Sequence, residues 1–186
     1  MKNRTLRQIT AAGVIAAAYA AISLVLAPIT FGAVQCRVSE ALTLLPVLSP
    51  AAVWGVTLGC AITNGVGAAT GANFLGMVDL FVGTAATLLA AVASRLLGKI
   101  RIGGAPWLSA LPPILFNAVA IGAEWCYAAT GSINVAFWVF AGQIARDNSL
   151  PACWEFGLFT CWSAAVCKIS SKGSDAAWHF LAAKRR

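Results

Sequence analysis

The stretch ITAAGVIAAAYAAISLVLA (residues 9–27) decides the class of fold. It runs without a charged side chain and ends at Pro28, and a helix needs about 20 apolar residues to cross the hydrocarbon core of a bilayer. Lys2, Arg4 and Arg7 precede it, as basic residues precede a signal peptide, but the apolar core of a signal peptide has only about 7–15 residues. We therefore predict a retained transmembrane helix.

The rest of the chain has the same apolar character. Of its 186 residues, 60% are hydrophobic and 10% are charged, and the mean hydropathy is +0.81. A soluble domain carries about a quarter of its residues as charged side chains, and disorder requires low hydrophobicity. Residues 8–94 contain one basic residue, Arg37, so the net charge of +7 forms no stripe for nucleic acid. We predict an all-α polytopic protein of the cell membrane with no nucleic-acid partner.

The six cysteines give no sign of a cofactor or a disulfide framework. They are dispersed, none forms a C-x-x-C pair, and most lie in apolar runs. A cysteine in such a run behaves as a small hydrophobic residue. We expect no metal and no cofactor.

Six transmembrane helices fit the apolar segments and the charges. Basic residues collect on the cytoplasmic side of a membrane, and eleven of the thirteen lie before the first helix, in the loop 95–101 or after residue 167. All three regions are cytoplasmic only if four helices precede the loop and two follow it. We thus predict one membrane domain with both termini cytoplasmic and a basic tail at 168–186. The predicted helices are at about 9–27, 37–48, 51–66, 75–97 and 107–128, with a sixth within 133–167.

Polar side chains inside these helices predict a binding pocket. A carboxylate near the bilayer centre costs about 2.5–3.5 kcal/mol, so it normally faces a cavity or a partner. The predicted topology places four polar side chains, three carboxylates and one amide, on four helices at a similar outer depth. A fifth polar side chain lies seven residues before one of the four, on the same face of its helix. A pocket rich in acceptors suits a ligand with several N–H donors or a cation. These five residues are Glu40, Asn64, Asp79, Glu124 and, on the face of Glu124, Asn117.

Most of these residues also have a structural interpretation. Arg37 and Glu40, three positions apart, can neutralise each other. Asp79 can complement the dipole of a helix that begins beside it, and Asn64 can cap a helix end. Glu124 has no basic residue within a helical turn.

Four further residues are candidates for the pocket or its rim. Trp125 and Trp138 stand at outer helix ends, where tryptophan anchors a helix in the membrane interface or stacks on a planar ligand. Arg37 and Asn148 lie near the acidic positions and complete the candidate lining.

Small residues recur every four positions on the first helix. Such rows let another helix approach closely. Gly55 and Gly59 form a similar row on the third helix, so internal packing explains the pattern as well as docking on a partner does. The first-helix rows are Ala12, Ala16 and Ala20 and, beside them, Gly13, Ala17 and Ala21.

Several segments resemble the QueT family. They are VQCRVSEALTLLP (34–46), SPAA (49–52), GVTLGC (55–60), Asn64, Asp79 with GTAATL (83–88), and Pro112-Pro113 followed by Asn117, Gly122 and Glu124. The resemblance covers about residues 10–128. The last third departs from it, since Asn148-Ser149 stands where the family pattern has Gly-Glu.

The resemblance implies a substrate-capturing S-component of an energy-coupling factor (ECF) importer. Its ligand would be a 7-deazaguanine precursor of queuosine, such as preQ0, preQ1 or queuine. Glu124 or Glu40 would accept the N1–H and the exocyclic amine of the base, Asn64 or Asn117 would contact its carbonyl or ring nitrogens, and Asp79 would be a further acceptor. The aminomethyl group of preQ1 would offer a cation to a second carboxylate.

The resemblance also implies partner proteins. The row Ala12, Ala16 and Ala20 would dock on the transmembrane coupling subunit, and two ATPase subunits would use the ATP. The chain itself has no G-x-x-x-x-G-K-[ST] motif.

Other classes of protein explain the sequence less well. An intramembrane serine enzyme is excluded because the one histidine, His179, lies in the basic tail. Asp79 and Asp147 lack the glycine-aspartate context of an aspartyl dyad, so we predict that the chain is not an enzyme. An S-component for another vitamin and a small ion- or proton-coupled carrier remain alternatives.

Overall fold

Four helices long and apolar enough to cross a membrane form the framework of the protein. The computed structural model describes residues 2–31, 37–73, 75–101 and 106–149, and no strand occurs among them. The sixth predicted helix beyond residue 149 and the basic tail lie outside these ranges. The all-α membrane fold is confirmed, while the count of six spans and the side of each terminus stay predictions.

The helices follow the predicted order. Most boundaries differ from the predicted ones by a few residues in either direction, because hydropathy does not fix where a helix begins or ends, and α1 begins seven residues earlier, at Lys2. In chain order they are α1 (Lys2–Val25), α2 (Ala27–Thr30), a 3₁₀ helix (Val38–Val47), α3 (Pro50–Ala69), α4 (Met77–Leu97), a short 3₁₀ turn (Trp107–Ala110), α5 (Leu111–Thr130) and α6 (136–149, to the last described residue).

The predicted second helix is a 3₁₀ helix, Val38–Val47, with Pro46 inside it. A 3₁₀ helix rises about 2.0 Å per residue against 1.5 Å for an α-helix. Ten residues therefore cover about 20 Å, which is still less than the hydrocarbon thickness of about 30 Å. The segment packs against α1, α3 and α4, so protein rather than lipid surrounds much of it.

The helices α1 and α3 meet backbone to backbone through glycine. A Cβ atom built on Gly59 would lie 2.6 Å from the Cβ of Tyr19 and 3.0 Å from the carbonyl oxygen of Ala16. A Cβ on Gly55 would lie 2.9 Å from the carbonyl oxygen of Ala12. The row that contains Ala12 and Ala16 is thus used for packing inside the protein, the alternative that the sequence left open.

The adjacent row of α1 faces outward. Ala16 and Ala20 are buried, whereas Gly13, Ala17 and Ala21 are exposed. Nothing lies within 4 Å of a Cβ built on Gly13. Docking of a partner on Ala12, Ala16 and Ala20 stays a prediction, and the small-residue surface left open is the neighbouring row.

We expect Gly59→Ala to lower the thermal unfolding midpoint, with a loss of about 1–3 kcal/mol from overpacking against Tyr19. Gly65→Ala is the matched control on the same helix, because its Cβ would meet only the Cδ1 of Leu80 at 3.9 Å. The control gains up to about 1 kcal/mol of helix propensity. Equal midpoints for the two variants, measured on purified protein in detergent, would contradict close packing of α1 on α3.

Candidate functional site

A buried ion pair joins the start of the 3₁₀ helix to α4. The Nη2 atom of Arg37 lies 2.6 Å from Oδ2 of Asp79, and both side chains are almost fully buried. Arg37 is the residue just before the 3₁₀ helix, and Asp79 lies in the first turn of α4. The structure therefore pairs Arg37 with Asp79, whereas the spacing in the sequence had offered Glu40 as its neutralising partner.

Two asparagines hold Asp79 in place. The Nδ2 atom of Asn73 donates to Oδ2 of Asp79 at 2.7 Å, and Nδ2 of Asn64 donates to the backbone carbonyl of Asp79 at 3.0 Å. Asn64 thus ties α3 to α4 and does not serve as a simple helix cap. A side chain at Gly83 would strike Oδ1 of Asp79, which explains a glycine one turn further along α4.

The sulfur of Cys60 lies at the centre of the same network. It accepts hydrogen bonds from Oγ1 of Thr87 at 3.3 Å and from Nδ2 of Asn64 at 3.5 Å, and Nη1 of Arg37 lies 3.9 Å away. Cys60 and Thr87 are fully buried. The sequence predicts Cys60 only as a small hydrophobic residue and does not single out Thr87, because neither contact can be read from spacing along the chain.

Glu40 lies beside this network and has a different partner. Its Oε1 accepts a hydrogen bond from the Tyr19 hydroxyl at 3.3 Å, and its Oε2 has no hydrogen-bond partner. The Asn117 amide faces the same carboxylate without a hydrogen bond between them. Tyr19 was missed in the sequence, although a hydroxyl in the middle of an alanine-rich span needs a partner and was therefore a usable signal.

Glu124 is the third carboxylate of the site. It is 8% exposed, both of its oxygens lack a hydrogen-bond partner, and it lies within electrostatic range of Asp79 and Arg37. It also lines an open groove of about 580 Å³ beside α4 and α5, most of whose other lining residues are exposed. The other lining residues are small, aliphatic or, in one case, tyrosine: Leu75, Val78, Val82, Val119, Ala120, Ala123, Tyr127, Ala128 and Ile133.

Buried polar atoms without a hydrogen-bond partner therefore lie on the helices predicted to form the pocket. Native proteins pair most buried polar atoms, and an unpaired one costs about 1–3 kcal/mol. Asn117 is 1% exposed and leaves both amide atoms unpaired. The unpaired atoms include Oε2 of Glu40, Oδ1 of Asn64, Oδ1 of Asp79, both amide atoms of Asn117 and both oxygens of Glu124, together with Nε of Arg37 and Oγ1 of Thr84.

The candidates near α6 divide into buried and exposed residues. Asn148 is buried, with both amide atoms unpaired. The Trp125 ring stacks on Phe140 with ring centroids 6.4 Å apart. Trp138 is 74% exposed and meets Phe137 edge to face, so the structure favours its role as an interface anchor over stacking on a ligand.

Removing one partner of the ion pair should destabilise the protein strongly. We expect Arg37→Met to reduce the free energy of unfolding by about 3–5 kcal/mol, because it leaves the Asp79 charge buried and unpaired. The double variant Arg37→Met/Asp79→Leu should recover part of this loss. Arg7→Gln is the control, since Arg7 is an exposed residue of α1, and a surface substitution of this kind should change stability by about 0.5 kcal/mol or less. Unfolding midpoints as low for the control as for Arg37→Met would rule out this role of the ion pair.

Comparison with known proteins identifies the family. The model of the QueT transporter family matches residues 9–162, most of the chain. No curated protein and no solved structure matches the chain. The match extends past residue 128, where the resemblance of the sequence segments ends, and it includes residues 136–149 of α6. The chain therefore belongs to the QueT transporter family, and it is a multi-pass membrane transporter protein and not an enzyme.

Proposed function

We propose that the chain is the S-component of an ECF importer and captures a 7-deazaguanine precursor of queuosine. Its family membership supports a transport role. The choice of ligand rests on one observation. Oε2 of Glu40 and both amide atoms of Asn117 have no hydrogen-bond partner, and these two side chains are buried among α1, the 3₁₀ helix and α5.

The hydrogen-bonding edge of a deazaguanine complements these two side chains. The edge presents an exocyclic amine, N1–H and a carbonyl oxygen in sequence, which is two donors followed by an acceptor. A carboxylate such as Glu40 accepts from both donors, and the Asn117 amide nitrogen donates to the carbonyl. Hydrogen bonds to an ionised group are the strong ones, so the pair would supply both affinity and orientation.

The charges of the site disfavour phosphorylated ligands. Arg37 is held by Asp79, and among the described residues no other basic side chain is buried. A phosphate would face Glu40 and Glu124 without a free cation to compensate it. The proposed ligand is therefore a base and not a nucleotide.

Partner subunits would supply the energy. An ECF transmembrane coupling subunit would dock on α1, and two ATPase subunits would hydrolyse the ATP. Since Ala16 and Ala20 are buried, and Ala16 lies against Gly59 of α3, the exposed row Gly13, Ala17 and Ala21 offers the closest approach to a partner helix.

A pair of asparagine variants distinguishes a binding role from a structural one. Asn117→Leu should abolish binding of a 7-deazaguanine measured by calorimetry, yet raise the stability of the ligand-free protein by about 1–2 kcal/mol, because it removes a buried unpaired amide. Asn64→Leu is the matched control and should lower stability, since its amide bonds to the Asp79 carbonyl. Undiminished binding by Asn117→Leu would remove Asn117 from the site.

Uptake should depend on the energising subunits. In cells that lack their own precursor synthesis, we expect import of labelled deazaguanine when the chain is expressed with a coupling subunit and two ATPases. The same assay with a catalytically dead ATPase should show no import. Flux driven by a pH gradient in liposomes that contain this chain alone would instead establish a proton-coupled carrier.

A further inference from the structure

The helices α1 and α3 begin at the same end of the molecule. Gly55 of α3 packs on the backbone of Ala12 in α1. One turn further along both helices, Gly59 packs on Ala16. The two helices are therefore parallel, and their first turns lie side by side at one face of the membrane. The basic residues before the first span predict that this is the cytoplasmic face.

A polar groove of about 330 Å³ lies where these two helices begin, and its lining includes Arg4, Arg7 and Ser49. Both arginines are exposed, and neither forms an ion pair with a described residue. The four acidic residues of the described ranges are all buried, and none of them lines this groove. The two guanidinium groups are therefore available for an anion, and the shape of a guanidinium matches two oxygens of a phosphate.

An apolar groove of about 520 Å³ adjoins the polar one. Gln8 and Ala51 line both grooves, so the two form one continuous surface, the α1–α3 groove. Its apolar part includes Gly13, Trp54 and Leu58. Trp54 is 63% exposed and Leu58 is 52% exposed, and no atom lies within 4 Å of a Cβ built on Gly13. The apolar part is thus open on the side of the helices that faces the bilayer.

The order of residues along α1 matches the order of groups in a phospholipid. Arg4 and Gly13 are nine residues apart, about 14 Å along the helix axis. Over that distance the lining changes from guanidinium groups, through the Gln8 amide, to aliphatic and aromatic carbon. A phospholipid changes in the same order, from its phosphate through the glycerol esters to the acyl chains. Trp54 lies between the two ends, close to the level of Ala12, and tryptophan is enriched at the border between head groups and acyl chains.

The charge of the groove favours a lipid over a partner helix. The cytoplasmic leaflet contains anionic lipids, which attract basic side chains near the membrane surface. A partner helix would have to bring an acidic side chain and an apolar face to the same place, whereas an anionic phospholipid joins a phosphate and an acyl chain covalently.

We propose that the α1–α3 groove binds one anionic phospholipid of the cytoplasmic leaflet. Arg4 and Arg7 hold its phosphate, and one acyl chain lies along Gly13 and Trp54. Ala17, which belongs to the exposed row offered above to the coupling subunit, lines neither part of the groove. The lipid therefore adjoins that row at Gly13 and leaves the rest of it open. This site is independent of the ligand that the polar residues around Glu40 bind.

Lipid titration of the purified full chain in neutral detergent tests the polar half of the site. Phosphatidylglycerol and phosphatidylcholine with the same acyl chains are compared by native mass spectrometry and by the thermal unfolding midpoint. We expect the parent to bind phosphatidylglycerol at least about tenfold more tightly and to be stabilised by it. The double variant Arg4→Gln/Arg7→Gln should weaken phosphatidylglycerol by about 10- to 30-fold, the effect of two basic residues near the membrane surface. Its midpoint without lipid should equal that of the parent.

Lys99→Gln/Arg101→Gln is the matched control for charge. It removes the same two charges from exposed positions on the same predicted side of the membrane, outside the groove. We expect it to bind phosphatidylglycerol within about threefold of the parent, since a two-charge change elsewhere alters only the diffuse attraction.

Gly13→Leu tests the apolar half while it keeps both arginines. The space around Gly13 is open, so the new side chain fills the groove without a clash. It should weaken phosphatidylglycerol by about tenfold, as expected when one or two methylene groups of the acyl chain lose their contact. Ala17→Leu, an exposed change one turn further along α1, is its control and should bind within about threefold of the parent.

Three results would overturn the lipid site. The first is equal affinity of the parent for the two lipids, and the second is an equal loss in the two double-charge variants, which would indicate diffuse attraction. The third is Gly13→Leu that binds phosphatidylglycerol normally but no longer captures a coupling subunit, which would make the groove a protein-docking surface.

Discussion

The buried ion pair between Arg37 and Asp79 is the constraint on which the site depends. It connects the segment before the 3₁₀ helix to the first turn of α4, and Asn73 and Asn64 extend the connection to the preceding loop and to α3. A buried pair is stable only when the remaining donors and acceptors are also satisfied. Asn73 and the Cys60 sulfur meet part of that requirement, whereas Nε of Arg37 and Oδ1 of Asp79 have no hydrogen-bond partner. The pair and the two asparagines together link three separate parts of the chain.

Pairing Arg37 with Asp79 also sets the chemistry of the neighbouring positions. Once this cation is occupied, Glu40 and Glu124 remain as acceptors that no described basic side chain neutralises. Keeping such groups buried reduces stability, and proteins retain them where function requires it. The ion-pair network thus holds the helices around the unpaired side chains of Glu40 and Glu124. Residues that surround a binding site commonly have this positioning role.

The membrane character and the spans could be read from the sequence because they depend on local composition. A helix such as α4 is apolar along its length whatever packs beside it, so its prediction at 75–97 agrees closely with Met77–Leu97. The pairing of side chains could not be read in this way. Spacing joined Arg37 to Glu40 because the two are close in sequence, whereas the true partner is 42 residues away.

The same limit applies to residues whose role depends on a neighbouring helix. Tyr19 and Asn73 carry ordinary side chains in ordinary local sequences, and only the approach of Glu40 and Asp79 gives them a function in the site. Ala12 and Ala16 belong to a row that suits a partner helix or an internal helix equally well, and α3 packs on it in this structure. Periodicity identifies such a row, but it does not say which helix covers it.

The sequence by itself determined the class of protein, the approximate positions of its long helices and the three carboxylates of its polar cluster, because the energetic cost of a polar atom in lipid applies to each residue by itself. The tertiary structure decided which of these residues neutralise one another and which remain unpaired, because charge pairing depends on distances between helices. That division assigns Asp79 to holding the fold together, and it leaves Glu40, Asn117 and Glu124 as the groups with unsatisfied capacity to bind.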